Sequence, residues 1–532
     1  MEISARSGHE LDAVDANIES TPHCSIHLRW RRNFLTSPLL RIPTELIIKI
    51  FVHGIELDQD DSSSLDDNNT SLLDIGRPIL LVLTATCHQL REIGIASPQL
   101  WSTVDFTTLP VAKLLLKRCK YDPHILLAKT SYPDPGWRKM YVVRNPRREA
   151  VWEKLEGLTF NNLHSLVFEG TPDELTRRIV GIIQRAPNIS NLDLYNRTRP
   201  DQELPWPQHL NAPVLHLSTL RLRGFRVSWT SHLLRNLSQL TLDFRLPNVS
   251  SKHTSIETFL TALANCPDLQ VLNLTHSGPD LPTDRQDTCD VVVQLRRLRK
   301  LSLEFCNPLR VGYILSHVGH PESTESAVRI SDTSATDLSE AISQILPPQN
   351  VGTIQHLRES TELTVSLDWG YLFSVENFLI RFKRDSWDRR TLPRFASKIV
   401  EVVGRDTITS LDIETWRTEI PDGTWDVFLH GLPRLERICY SRTKEGDGDS
   451  VDPFILAFSR PFEGGPICPR LQHLKLPRVV LTQDSSTTVL KRALTERDAY
   501  GKRLKWIGLS GHTEVDDGLV LEPFRDLVDE VR

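Results

Sequence analysis

The sequence lacks any apolar stretch long enough to cross a bilayer. Its longest apolar run, Ile79 to Val82 extended to Ala85, falls far short of the roughly twenty residues a membrane helix needs, so no span is expected. The amino terminus carries Glu2, Arg6, Glu10, Asp12, Asp15 and Glu19 where a secretory signal needs an apolar core, and secretion is not expected either. Excess charge of one sign is missing too. The 63 Lys and Arg nearly balance the 68 Asp and Glu, for a net charge of −5 over 532 residues. No global field exists to hold a polyanion, which argues against sequence-independent nucleic-acid binding. The eight cysteines stand singly with no Cys-x-x-Cys pair, which argues against a disulfide framework and points to a reducing cytosol or nucleus.

The motifs of catalysis are scarce as well. Gly501-Lys502-Arg503 lacks the preceding Gly and the hydroxyl residue of a phosphate loop. Gly508-Leu509-Ser510-Gly511-His512 places His512 where a nucleophile elbow needs its second Gly. The 18 histidines include no His-Glu-x-x-His and none pairs with cysteines at zinc spacing. Glu445 to Asp449 lacks the ligand spacing of an EF-hand loop. No enzymatic activity, cofactor or metal is expected. Two short basic clusters, Arg29-Trp30-Arg31-Arg32 and Arg144-Asn145-Pro146-Arg147-Arg148, read as solvated surface.

What is present is an ordinary globular composition, 39% hydrophobic and 25% charged, on a chain long enough for several domains or one repeat array. Residues 1–38 are expected to be disordered. From Leu39, Pro43 suits the first turn of a helix and Glu45 its positive end, Leu46, Ile47, Ile50 and Phe51 fall on one face, and Gly54 is a natural stop. Residues 58–74 carry six aspartates, three consecutive serines and no Lys or Arg, the pattern of a solvated loop. A second helix is expected from Pro78 toward Gly94, and Ser97-Pro98-Gln99-Leu100-Trp101 starts a third element.

This segment resembles the F-box. Ile42-Pro43-Thr44-Glu45-Leu46-Ile47-Ile48-Lys49-Ile50-Phe51 follows the family's Leu-Pro-x-Glu-Leu-x-x-x-Ile-Phe opening. Cys87, Leu90 and Arg91 stand where the family has Val-Cys-x-x-Trp-Arg, and Pro98-Gln99-Leu100-Trp101 matches the closing Pro-x-Leu-Trp of fungal members. Leu90 for Trp and Ile42 for Leu are departures that stay apolar. The resemblance implies a small all-helical domain over residues 39–102 that docks on the Skp-type adaptor of a cullin-RING ubiquitin ligase. It assigns adaptor contacts to Pro43, Leu46, Ile50, Phe51, Leu83, Cys87, Leu100 and Trp101.

After Trp101 a frame of the form apolar-x-x-apolar-x-apolar recurs: Leu163/Leu166/Phe168, Ile189/Leu192/Leu194, Leu217/Leu220/Leu222, Leu237/Leu240/Leu242, Leu269/Leu272/Leu274 and Leu298/Leu301/Leu303. It returns at Ile408/Leu411/Ile413, Leu435/Ile438/Tyr440, Leu471/Leu474/Leu476 and Leu504/Ile507/Leu509, while residues 309–407 show candidate strands but no frame. Alternation within the frame predicts a strand with one buried face, and amphipathic helices fill the intervals. Capping boxes at Thr171 with Glu174 and at Thr254 with Glu257 predict two of the helix starts. Helices should end at Ala186-Pro187, Cys266-Pro267, Leu432-Pro433 and Cys468-Pro469.

The spacing resembles that of leucine-rich repeats, so the fold class expected is α/β: the F-box segment followed, over residues 103–532, by an irregular solenoid of alternating helices and parallel strands. The residues between the frame positions then form the candidate target-binding surface, with Asp193, Tyr195, Arg221, Arg223, Asp243, Asn273, Glu304, Asp412, Glu414, His473 and Lys475. The expected function is substrate recognition for the ligase, with the adaptor, a cullin and an unidentified target protein as partners and no nucleic acid or membrane. The alternative is a leucine-rich-repeat interaction scaffold without ligase function.

Overall fold

The computed structural model describes residues 13–14, 25–62, 84–105, 109–129, 155, 157–170, 178–196, 204–205, 216–244, 255–281, 291–331, 337–346, 357–367, 370–383, 391–415, 420–442, 453–460, 465–477, 486–509 and 522–531. The chain divides into two compact units, Met1–Thr198 with Pro207–Leu217, and Arg199–Trp206 with Ser218–Arg532. The helical segment and the first strands thus share one unit, where the sequence pattern had suggested a boundary at residues 102–103.

In the first unit, α1 (Ser25–Thr36) replaces part of the disorder expected over residues 1–38. Ile26, Trp30 and Phe34 recur at every fourth position there, a spacing that fits a helix. Helix α2 (Thr44–Ser62) runs through Gly54 rather than stopping at it. One interior glycine costs about 1 kcal/mol, and Ile55, Glu56 and Leu57 carry the helix on. Asp58, Asp60 and Asp61 therefore lie on a helix and not in a loop, and residues 63–74 lie outside the described residues. The helix expected from Pro78 is interrupted: Cys87 is extended at φ −153 and ψ 164 and precedes α3 (His88–Ala96). Thr84, Thr86 and Cys87 are all weak helix formers, which locates the break.

A short 3-10 turn, Pro98–Trp101, leads into β1 (Thr103–Asp105), α4 (Leu109–Arg118), β2 (Ile125–Lys129), β3 (Ser165–Gly170), α5 (Val180–Gln184) and β4 (Asn191–Asn196). The four strands pair in chain order and in parallel. The capping box at Thr171 lies outside the described residues.

The second unit repeats the same alternation. Strands β5 (Thr219–Arg223), β6 (Gln239–Asp243), β7 (Val271–Thr275), β8 (Lys300–Phe305) and β9 (Glu325–Ile330) pair in parallel, each with the next. Helices α6 (Ile256–Ala264), α7 (Pro308–His317) and α8 (Leu338–Ile345) follow β6, β8 and β9. The order then changes. Strand β9 pairs in parallel with β12 (Phe378–Lys383), β11 (Gly370–Val375) is antiparallel both to β12 and to β10 (Glu362–Ser366), and parallel pairing resumes from β10 to β13 (Ser410–Thr415). Strands β14 (Arg437–Arg442), β15 (His473–Lys475), β16 (Leu504–Gly508) and β17 (Val528–Val531) complete the series in parallel. Helices α9 (Leu392–Val403), α10 (Asp422–Gly431), α11 (Pro453–Phe458) and α12 (Ser486–Ala499) intervene. The fold class is therefore α/β, with a main sheet of seventeen mostly parallel strands among the described residues, alternating with helices.

Every residue of the ten sequence frames is buried, at most 6% exposed. Register explains it: Leu220, Leu240, Leu272 and Leu301 stand side by side, as do Leu222, Leu242, Leu274 and Leu303. Each proline stop becomes a turn that returns the first frame residue to the core. Ile189 N–H donates to the Ala186 carbonyl, Leu269 to Cys266, Leu435 to Leu432 and Leu471 to Cys468, with Pro at the second position of each turn. The start of α6 is capped by Ser255, whose side chain accepts from the Thr258 N–H, while Thr254 lies outside the described residues. Among the described residues no helix is long and apolar enough to cross a membrane, and the six described cysteines are free thiols.

Candidate functional site

The first candidate surface lies on α2. Its opening turns carry apolar residues over a wider arc than the stripe of about 100° that one helix normally buries. Ile47 and Phe51, one turn apart, take the inner side and are 1% and 4% exposed. Pro43 is exposed, and Leu46 and Ile50 stand 47% and 50% exposed on the adjoining side. On the other flank a depression of about 350 Å³ is lined by Glu45, Ile48, Lys49, Val52, His53 and Gln99.

The remaining residues assigned by resemblance separate. Phe51, Leu100 and Trp101 are core residues. The Trp101 indole N–H donates to the Gly94 carbonyl at 2.6 Å, and the Arg118 guanidinium lies 4.1 Å over its ring. These three groups are thus engaged inside the unit, because a segment this small must supply its own core before it can offer surface. Cys87 is half-buried at the start of α3, and Leu83 lies outside the described residues.

On the strands, the residues between the frame positions point away from the leucine core. In the first unit Tyr195 is half-buried, but Asp193 is buried, because β4 is covered at Leu192, Asp193 and Leu194 in succession and so on both faces. In the second unit Arg221, Arg223, Asp243, Asn273, Glu304, Asp412, Glu414, His473 and Lys475 all fall on one face, half-buried or exposed. Cross-strand hydrogen bonds knit it: Arg221 donates to Gln239 Oε1 at 3.3 Å and Asn273 Nδ2 to Thr241 Oγ1 at 3.2 Å.

Further along this face Asp412, Cys439 and Lys475 are register neighbours on β13, β14 and β15. Burial pushes the Cys439 thiol up to about 11, the Asp412 carboxylate adds to the rise, and Lys475 opposes it. Burial also raises Asp412, against the Cys439 hydrogen bond and Lys475. The thiol is therefore a protonated donor at neutral pH and a poor nucleophile. One row over, Arg437 meets Glu362 at 3.3 Å, and His473 pairs in register with Trp506, their rings 6.4 Å apart. Among the described residues no group of three His, Cys, Asp or Glu is placed to hold a metal.

Several residues of this face are absent from the surface expected from the sequence, among them Cys439 and Arg437 of β14, Trp506 of β16, Arg329 of β9 and Arg381 of β12. Arg329 and Arg381 lie where the frame vanished, although the alternation in Phe378-Leu379-Ile380-Arg381-Phe382 was a usable strand signal. The fold and its two surfaces define an α/β protein of mostly parallel strands with a solvent-facing apolar helix side and a mixed-charge strand face. No protein-family model matches the sequence, and no curated protein matches it.

Proposed function

We propose that the chain is a non-enzymatic substrate receptor of a cullin-RING ubiquitin ligase in the cytoplasm or nucleus. In this reading residues 39–102 act as an F-box, α2 docks on a Skp-type adaptor and through it on a cullin, and the strands form an irregular leucine-rich-repeat solenoid whose polar face holds a target protein. One observation carries the reading: Leu46 and Ile50 remain exposed on a helix already anchored by Ile47 and Phe51, with Pro43 exposed just before it. Docking would remove that apolar surface from water at about 25 cal/mol per Å². The mechanism is proximity, a receptor raising the effective concentration of target lysines near a ubiquitin-charged enzyme, so no catalytic residue is required here.

The burial of Phe51, Leu100 and Trp101 favours the second reading, a repeat scaffold whose helical cap serves only its own core. Co-purification separates the two. Wild type should recover the Skp-type adaptor, and the Leu46→Asp, Ile50→Asp variant should recover at least tenfold less at an unchanged melting temperature, since both positions are exposed. Equal, poor recovery by the two proteins would sink the receptor reading.

A further inference from the structure

Helix α4 buries one apolar stripe and leaves a second one in solvent. Ala112, Leu115, Leu116 and Cys119 pack into the first unit, whereas Val111 and Leu114 continue the apolar arc onto the outer side of the helix and stay exposed. Lys113 and Lys117, one turn apart, fill the rest of that side, and both are exposed. Their side chains and that of Lys120 form no hydrogen bond or ion pair with another described residue. With Arg118, the chain from residue 106 to residue 121 carries four positive side chains and no Asp or Glu, in a protein whose net charge is −5.

The helix ends in a strained turn. Tyr121 N–H donates to the Leu116 carbonyl at 2.8 Å and Lys120 N–H to that of Lys117 at 3.3 Å, a closure whose left-handed position is usually glycine. Here Lys120 and Tyr121 take that position and the next, at φ 55 and φ 63. Such a conformation is costly for a residue with a large side chain, and strain of this kind concentrates at functional sites. Both side chains are exposed, so no core packing offsets it.

An exposed apolar stripe flanked by lysines and closed by a tyrosine is the pattern of a helix lying in a membrane interface. A second copy of the chain would set the same lysines against one another. The unpaired cations call for an anionic surface, and the apolar residues beside them call for one that also offers hydrocarbon. We infer that this side of α4 is an attachment surface for a bilayer carrying anionic lipid. Val111, Leu114 and Tyr121 enter between the headgroups, and Lys113, Lys117 and Lys120 meet their charge. Surface attachment needs no spanning helix, so the expectation of no membrane partner, drawn from short apolar runs, does not bear on it. The inference stands apart from the ligase reading.

The test measures binding of the full chain to vesicles of phosphatidylcholine alone, to vesicles of equal parts phosphatidylcholine and phosphatidylserine, and to labelled polyglutamate. The mixed vesicles should bind at least tenfold more tightly than the neutral ones, and added salt should release the protein. Each lysine near an anionic surface is worth about fivefold in affinity, so the Lys113→Glu, Lys117→Glu variant should lose at least tenfold. A Lys502→Glu, Lys505→Glu variant, with the same change in net charge, should bind as wild type does. Leu114→Ser, Tyr121→Gly should also weaken binding to the mixed vesicles, while relief of the turn keeps its melting temperature from falling. Equal binding to the two vesicles, a preference that survives Lys113→Glu, Lys117→Glu, or full binding by Leu114→Ser, Tyr121→Gly would each overturn the surface. Polyglutamate bound in place of the vesicles would overturn it as well and point to an acidic polypeptide.

Discussion

Arg497 keeps its side chain within the core at 2% exposure. Its guanidinium donates to the carbonyls of Ile467, Cys468 and Leu471 and lies 5.5 Å from the Phe458 ring. Burial brings its pKa down to about 10, with Cys468 opposing the fall, and burial pushes the Cys468 thiol up to about 12. At neutral pH the arginine is therefore charged and the thiol protonated, with three carbonyls in place of water around the cation. Arg497→Met should cost about 3 kcal/mol, since hydrogen bonds to charged groups are worth roughly 1.5–3 kcal/mol each and the methionine recovers packing. The urea midpoint reads this, and an unchanged midpoint contradicts it. The sequence held a signal for this residue. Leu490, Ala493, Leu494 and Arg497 share one helix stripe, so Arg497 occupies a core position rather than the solvated side of α12.

At the scale of elements, Gly312 decides how closely α7 and α8 pack. A Cβ at this position would stand 1.9 Å from the Gln344 backbone carbonyl oxygen. Helix propensity alone favours Gly312→Ala by about 1 kcal/mol. The clash is with backbone, which cannot swing aside, so the variant should instead lose about 2 kcal/mol, as overpacked helix contacts do. A thermal melt checks the sign, and a stabilised variant contradicts this packing. The strands themselves were legible because their leucines alternate, and the prolines after the helices marked each return to the core. The β10–β11–β12 insertion was not. Antiparallel strands joined by short turns need no crossover helix, so they break the repeat spacing that made the other strands visible. Helix α2 outran Gly54 for a related reason: the glycine penalty is small beside the helix-forming residues after it.

For the whole molecule, the proposed labour is divided between an apolar helix side in the first unit and a mixed-charge strand face in the second. Which apolar residues pack inward and which stay exposed was the part of the site that sequence could not give. Leu46, Ile47, Ile50 and Phe51 share one helical spacing, and only the packed structure separates the buried pair from the exposed pair. Hydrogen exchange on the full chain, with and without the purified Skp-type adaptor, addresses this division most directly. The account predicts that the adaptor slows exchange at least tenfold across residues 44–53 and leaves β13, β14 and β15 unchanged. Exchange at residues 44–53 that is the same with and without adaptor would contradict it.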